Sequence, residues 1–472
     1  MKGRSISKLF TGGLAVIAFF LQIQLQISCA VIVPPGGGPR DTLPPRLLSA
    51  NPADSSLNFN GNRIVLTFDE FVDLQDVSKN LLFMPATEHT PTVNNKLRTV
   101  TIRLRDPLER NTTYTLNLGD AIRDVNESNI IHNFSYTFST GPVMDTSIYT
   151  GKVVLAETGL VDTTLQAVLY RDFTDSAVYK KNPLYVSKVD KEGNFMFRNL
   201  PRDSFAIYVL EPAGGLRRYQ DKSKLFAFAN QPVIVGRTPS LKLLAYREQL
   251  KKIIQPSAAS GSIKAIPNEK ARLRFNTISN GAQQDLLDDL TLTFLVPLRT
   301  IDTTKMQLTT DSAFHPTTYS TDLDTSKSIL KIHTNWKPNT LYNLILQKDF
   351  ATDTMGRQLL KADTLRFMTK KETDYGSVRL RVRNLDTAVN PVLQFVQNDK
   401  VMYSAPIKSG IFSSRLFLPG DYDLRILYDQ NNNGKWDPGH FFGVKRQPET
   451  VLPLGKKISI KPDWDNEFEA SL

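Results

Sequence analysis

The segment from Asp429 to Asp437 reads Asp-Gln-Asn-Asn-Asn-Gly-Lys-Trp-Asp, with oxygen-bearing side chains at its first, third, fifth and ninth positions and glycine at its sixth. Alternate residues of such a loop turn their oxygens inward and the glycine permits the sharp bend, which is how an oxygen-rich calcium loop begins. Asp429, Asn431, Asn433 and Asp437 are therefore the candidate metal ligands, and calcium is the one ion for which the sequence offers a place. The twelfth position is His440 instead of the bidentate Glu such a loop uses. Affinity should then be weak unless a distant carboxylate, Asp463 or Glu467, completes the shell. Without an ion the same residues make a good hairpin turn, because Asn and Gly accept positive φ.

Other chemistry finds little support. The five histidines, His89, His132, His315, His333 and His440, are far apart, and no pair has the spacing of a helical metal motif. There is no Gly-x-Ser-x-Gly elbow, no phosphate-cradling loop, no His-Glu-x-x-His and no dinucleotide fingerprint. Two carboxylate clusters remain, Asp69-Glu70 and Asp285 with Asp288-Asp289. Paired carboxylates can do glycosidase work when held about 5–9.5 Å apart across a cleft, but both clusters sit at strand ends, where solvation explains them. No catalytic residue and no enzyme activity is expected.

A single Cys in 472 residues excludes a disulfide framework, a Cys-based zinc site and an iron–sulfur cluster. Its position offers another explanation. Lys2, Arg4 and Lys8 precede the apolar run Leu14–Leu21, which ends near Ser28-Cys29. This is the layout of a secretory signal peptide, and Gln22, Gln24 and Gln26 make a spanning helix a poorer fit. Cys29 stands where a bacterial lipobox would place the acylated residue, although Leu25 lies one place further from it than usual. Cys29 is thus the expected lipidation site. Residues 30–43, with Pro34-Pro35-Gly36-Gly37-Gly38-Pro39, form a tether. No acidic stretch follows Cys29, so an outer-membrane lipoprotein facing the periplasm is expected rather than one displayed on the surface. The net charge of +11 includes three residues of the leader and forms no basic run, so nucleic acid is not an expected partner.

The body of the chain alternates as half-buried strands do: Ile64, Leu66 and Phe68 against Arg63, Val65 and Thr67; Val100, Ile102 and Leu104 against Thr101 and Arg103; Leu116 and Leu118 against Thr115 and Asn117. Helical periodicity is nearly absent; Leu241–Ile254, its best candidate, reads equally as a strand and linker. An all-β fold follows. Leu66-Thr67-Phe68 recurs as Leu292-Thr293-Phe294, Asn111–Leu116 as Asn339–Leu344, Asp120–Asp124 as Asp349–Asp353, and Phe138-Ser139-Thr140 as Phe367-Met368-Thr369, at offsets of 226 to 229. A second repeat, Gly193-Asn194-Phe195 with Leu200-Pro201, returns as Gly410-Ile411-Phe412 with Leu418-Pro419. The chain reads A-B-A′-B′. Expected boundaries are a leader at 1–29, a tether at 30–43, A at 44–141, B at 142–250, A′ at 251–370 and B′ at 371–472.

The A unit, with Pro44-Pro45, Phe68-Asp69-Glu70, Asn111-Thr112-Thr113-Tyr114 and Phe138-Ser139-Thr140-Gly141, resembles the bacterial Ig-like domain of the SbsA type. In A′ the Asp-Glu pair is replaced by Val296-Pro297. The B unit, with its Gly-x-Phe, Leu-Pro and the aromatic strands Phe205-Ala206-Ile207-Tyr208 and Asp421-Tyr422-Asp423-Leu424, is similar to Cna-B or transthyretin-like β-sandwiches, some of which carry calcium loops like that at Asp429. The arrangement resembles Ig-like envelope lipoproteins of Gram-negative bacteria. Such a resemblance implies a non-catalytic, lipid-anchored structural or interaction scaffold whose partners are the membrane and an envelope protein or glycan. The alternative is a carbohydrate-binding surface module.

Two patterns complete the sequence. Asp followed by Ser or Thr and then a small or apolar residue or Thr recurs along the chain, as at Asp41, Asp162, Asp175, Asp302, Asp311, Asp353, Asp363 and Asp386. It resembles an envelope O-glycosylation sequon and is equally a good turn pair. Arg379, Arg381 and Arg383 alternate with Val378, Leu380 and Val382, giving a basic strand face for an anionic glycan or for water.

Overall fold

In the computed structural model, residues 40–213, 216–249, 272–277 and 283–472 are described. Cys29 and most of the tether lie outside them. The described chain is built almost wholly of short strands, with one-turn helices at Val77–Asn80 and Ala177–Lys180. Period-two alternation is why. Arg63–Phe68 buries every second residue, with Ile64, Leu66 and Phe68 fully enclosed, and Val100, Ile102, Leu116 and Leu118 do the same. Leu241–Ala245 is a strand.

Contacts divide the chain into two compact units, one containing most of the first 140 residues and the other containing Met84–Glu88, Arg110–Tyr114 and Gly141–Leu472. Strand order repeats along the sequence. Early in the chain the order is Leu47–Asn51, Arg63–Phe68, Thr99–Arg103, Thr92–Lys96. The same order returns as Phe275–Asn276, Leu290–Phe294, Ile329–His333, Ser320–Leu323. Val72–Leu74 pairs with Ile122–Asp124 as Leu298–Ile301 pairs with Ala351–Asp353. Leu82–Met84, Thr113–Gly119 and Phe134–Ser139 correspond to Met306–Thr310, Leu341–Leu346 and Asp363–Met368, the last set gaining His315–Pro316 at its edge.

The strands between and after these also match. Asn194–Leu200, Ser147–Leu155 and Leu241–Ala245 form a sheet whose last two strands are parallel. Ile411–Phe417, Gly376–Arg383 and Asp465–Ser471 repeat it, parallel pair included. The facing sheets run Tyr185–Lys188, Gln166–Tyr170, Ser204–Leu210, Phe226–Phe228 and then Lys400–Pro406, Pro391–Gln397, Gly420–Tyr428, Thr450–Ile460. Each sheet pair encloses one core, Val153, Phe195, Phe205 and Ile207 in the first and Leu380, Phe395, Leu424 and Ile426 in the second. Two half-apolar sheets bury their inner faces against each other and leave the outer faces in water. B and B′ name these two sandwiches below.

The repeated Asp124 and Asp353 show what one shared motif is for. Each is 1% exposed. Asp353 accepts the N–H groups of Met355 and Arg357 and the Arg357 Nε, all within 2.9 Å. Asp124 accepts those of Glu127, Ser128 and Asn129. Burial pushes each carboxyl upward, and the hydrogen bonds outweigh it, so both are held below the usual Asp value. A depressed folded pKa gives stability that is present above the unfolded value of 3.8 and is lost as pH falls through the folded one. Asp353→Ala should cost about 1–3 kcal/mol by leaving buried donors unmade, measured by urea denaturation at neutral pH. The difference from the parent should shrink as pH is lowered below the ordinary Asp range.

Candidate cation loop and the contact it carries

Residues 429–449 connect the strands Gly420–Tyr428 and Thr450–Ile460. Asp429, 2% exposed, closes the start of the connection by accepting the N–H groups of Asn433 at 3.3 Å and Gly434 at 2.6 Å. Gly434 takes φ +74°, a conformation in which a Cβ would be strained. Asp437 Oδ2 accepts the side-chain amides of Asn431 and Asn433, both at 2.7 Å. All four expected ligand residues thus meet in one loop. They meet as a hydrogen-bonded network, and among the described residues no three His, Cys, Asp or Glu side chains converge as a metal site would require. To coordinate a cation, Asn431 and Asn433 would have to present their carbonyl oxygens in place of the amide groups now given to Asp437.

The carboxylate that reaches this loop from a distance is neither Asp463 nor Glu467. Glu467 lies 3.7 Å from Arg379 on the outer face of another sheet, and the Asp463 N–H bonds to the Tyr375 carbonyl. Glu449 takes the place instead. It is 4% exposed, and its two oxygens accept the N–H groups of Gln430 at 2.8 Å and Asp437 at 3.0 Å. Its carbonyl accepts the indole N–H of Trp436 at 2.8 Å. Burial raises the Glu449 carboxyl above the ordinary range, and the charges of Asp429 and Asp437 add to this against the two N–H groups. The folded chain therefore holds this proton more tightly than the unfolded one, and stability falls as pH rises from 4.5 through the Glu449 value. A bound cation would offset that repulsion.

Beyond the loop, His440 and Arg446 exchange backbone hydrogen bonds of 2.8 Å, so the chain between them doubles back as a hairpin. His440 is turned away from the cation loop: its Nδ1 is 2.7 Å from Glu248 of B, which also holds Lys222 at 2.7 Å. Phe441 is wholly buried among Tyr208, Phe226 and Phe228, with ring centroids 5.0 to 5.5 Å apart. Burial pushes the Tyr208 hydroxyl up to about 12. Gly439 passes so close to Tyr246 that a Cβ would lie 2.7 Å from the ring, which only glycine allows. Lys445 reaches Asp175 at 2.6 Å, Gln447 donates to the Phe228 carbonyl at 3.1 Å, and the Val451 N–H donates to the Ala156 carbonyl at 2.9 Å. B and B′ are therefore joined through this connection.

The remaining sequence candidates separate. Asp69 is held by Arg46 N–H at 2.7 Å and Arg46 Nε at 2.9 Å, which keep it below the usual range, whereas burial raises its neighbour Glu70. The two carboxyls thus shift in opposite directions at the bend that follows Arg63–Phe68. Asp285 is not a solvated strand end. It takes Lys370 at 2.7 Å and the Tyr375 hydroxyl at 2.8 Å, while Asp289 faces His333 at 2.6 Å. Arg379 and Arg383 of the basic strand meet Glu467 and Glu469 of the parallel neighbour, so the face is a ladder of mixed charge. In the Asp-Ser/Thr pairs named above every hydroxyl residue is exposed. At Asp41, Asp162, Asp302, Asp311, Asp353 and Asp386 the carboxylate accepts the N–H two residues on, the geometry of an Asx turn. A small apolar cleft of about 340 Å³ beside the joint is lined by Tyr179, Tyr219 and Phe442 with Ser176, Gln220 and Lys222.

Phe441→Ala should remove about 3–5 kcal/mol, since a large buried ring leaves a cavity that its rigid neighbours cannot fill. Calorimetry of the variant should show B and B′ melting as separate transitions where the parent shows one.

Among known proteins, residues 41–140 match the bacterial Ig-like domain family. No curated protein matches the chain in sequence. Among solved structures, the TIE protein of Bacillus anthracis is 13% identical, covering 93% of this chain and 75% of that one at a TM-score of 0.16. The N-terminal part of the bacterial S-layer protein SbsC is 17% identical over 41% of this chain and 44% of that one, at 0.17. BcpA, the major pilin subunit of Bacillus cereus, is 9% identical over 69% and 99%, at 0.17. At scores this low the likeness says nothing of function. The chain carries a bacterial Ig-like domain at residues 41–140 within an all-β architecture.

Proposed function

We propose that this chain is a non-catalytic scaffold of the cell envelope, anchored to the outer membrane by acylated Cys29, facing the periplasm, and presenting its sandwiches to an envelope protein or glycan. The observation that carries the reading is the Phe441 joint. A chain that buries an aromatic ring and adds two partly exposed ion pairs to fix one sandwich against another is built to hold a spacing, whereas its carboxylates are committed to turns and ion pairs. The leader and the position of Cys29 supply the anchor. Stable anchoring takes more than one acyl chain. Cys29→Ala should therefore move the protein from the membrane fraction to the soluble periplasm; unchanged membrane association would contradict the anchor. The second reading, a carbohydrate module, is favoured by the cleft at Tyr179 and Phe442, since aromatic faces stack on sugar rings, but Lys222 and Gln220 there already serve Glu248 and the Tyr179 carbonyl.

Calcium at the loop belongs to the same proposal. Asp429, Asn431, Asn433 and Asp437 would supply oxygens, with Glu449 as the buried carboxylate that the twelfth position lacks. Bound there, the ion would offset the repulsion that Asp429 and Asp437 exert on the Glu449 carboxylate and stiffen the base of the hairpin that carries Phe441. Millimolar calcium, the weak extracellular range, should raise the melting temperature of the full chain, and Asp429→Ala should abolish the rise. An unchanged melting temperature would leave only the turn.

A further inference from the structure

The two B-type sandwiches differ at one edge, and the difference identifies an interaction surface. In B the edge strand Tyr185–Lys188 is covered: the Ala86 N–H donates to the Leu184 carbonyl at 2.8 Å and the Val186 N–H to Met84 Sδ at 3.3 Å. The covering segment Met84–Glu88 follows the strand Leu82–Met84. In the repeat the corresponding strand, Met306–Thr310, turns back into His315–Pro316 and pairs with itself as a hairpin. The equivalent edge of B′, Lys400–Pro406, receives no such cover among the described residues. It pairs with Pro391–Gln397 on one side, and no described backbone group bonds to its other side. Val401, Met402 and Tyr403 on it are 42%, 48% and 45% exposed. An edge with free backbone groups and apolar side chains is a template for another strand.

We propose that this edge pairs with the same edge of a second copy of the chain, antiparallel about Tyr403. The strand is complementary to itself in that direction. Lys400 falls opposite Pro406, Val401 opposite Ala405 and Met402 opposite Ser404, so no like charges face each other. Asp399 at one end, exposed although its carboxylate also takes Arg425 at 3.2 Å, and exposed Lys408 just past the other end carry opposite charges. The two-fold axis places each Asp399 one residue from facing the partner's Lys408. Parallel pairing in register would instead set Lys400 against Lys400. The bulge at Met402, where the pairing register with Pro391–Gln397 shifts, blunts the edge locally, and Lys400 and Pro406 bound it. Between those limits the strand stays open. Its position is also free of the Phe441 joint, which uses the opposite side of the same sheet at Thr450–Ile460.

The chain following Cys29 contains no other cysteine, so a single introduced thiol reports on the pairing. Residues opposite each other across an antiparallel pair lie about 4.5–5.5 Å apart at Cα, within reach of a disulfide. In that chain, Tyr403→Cys should oxidise to a covalent dimer on the order of tenfold faster than Val444→Cys, a thiol at an exposed site elsewhere, because the paired copies hold it at high effective concentration. Because Tyr403 also packs on Phe395 and Phe417, hydrogen exchange on the unsubstituted chain provides a second test. Amides of Lys400–Ala405 should slow as concentration rises, together with a shift from monomer to dimer in sedimentation. Equal oxidation of the two thiols with a monomer at all concentrations overturns the proposal. So does protection of these amides that is independent of concentration, which would mean that another part of the same chain covers the edge. Cross-linking of Tyr403→Cys in cells to a different protein, with no dimer, overturns it in favour of that protein.

Discussion

Phe441 is carried on a hairpin of B′ and buried among Tyr208, Phe226 and Phe228 of B, and the surrounding geometry makes sense only if that ring is to be held there. Gly439 is needed for the hairpin to pass Tyr246; His440 and Lys445 fix its two sides to Glu248 and Asp175. Behind the hairpin, Glu449 and Asp429 tie down the loop from which it springs. Aromatic pairs add about 0.5–1.5 kcal/mol each beyond the area they bury, so a ring with three such neighbours outweighs any of the exposed ion pairs around it, which are individually small. The hydrophobic contact supplies the strength and the polar contacts supply the direction.

The same logic of duplication followed by divergence runs through the second unit. B and B′ share strand order down to their parallel pair, yet B ends its second sheet with the short Phe226–Phe228 and B′ with the long Thr450–Ile460. At the junction preceding B′, Tyr375 donates to Asp285 and accepts from Leu286, while Lys370 closes on the same carboxylate. Carboxylates that could be mistaken for chemistry are spent on holding chain segments in place. That placement supports the scaffold role proposed above.

Strand positions were legible in the sequence because burial on one face of a sheet is a local, period-two signal, and Ile64, Leu66 and Phe68 carry it openly. The repeat was legible too, since Asp124 and Asp353 each close the turn that follows by accepting backbone N–H groups, though from different positions. What could not be read was any contact between residues remote in sequence. Glu449 lies outside the window of a twelve-residue loop, so its place beside Asp429 and Asp437 has no local signature. Phe441 and Phe442 look like any apolar pair in a loop until Phe226 is folded against the first and Tyr219 against the second. Arg379 and Arg383 read as a basic face because Glu467 and Glu469, far along the chain, neutralise them only through a parallel pairing. The candidate loop was thus found by its spacing, and the reason it matters was not.

The central claim, that B and B′ are one cooperative body joined through Phe441, is tested most directly by native-state hydrogen exchange on the intact chain. Amides of Phe226–Phe228 in B and of Gly420–Tyr428 in B′ should open with the same free energy and the same denaturant dependence, as one cooperative unit does. Opening of the two strands at clearly different free energies would show that the sandwiches unfold independently, and would contradict the account.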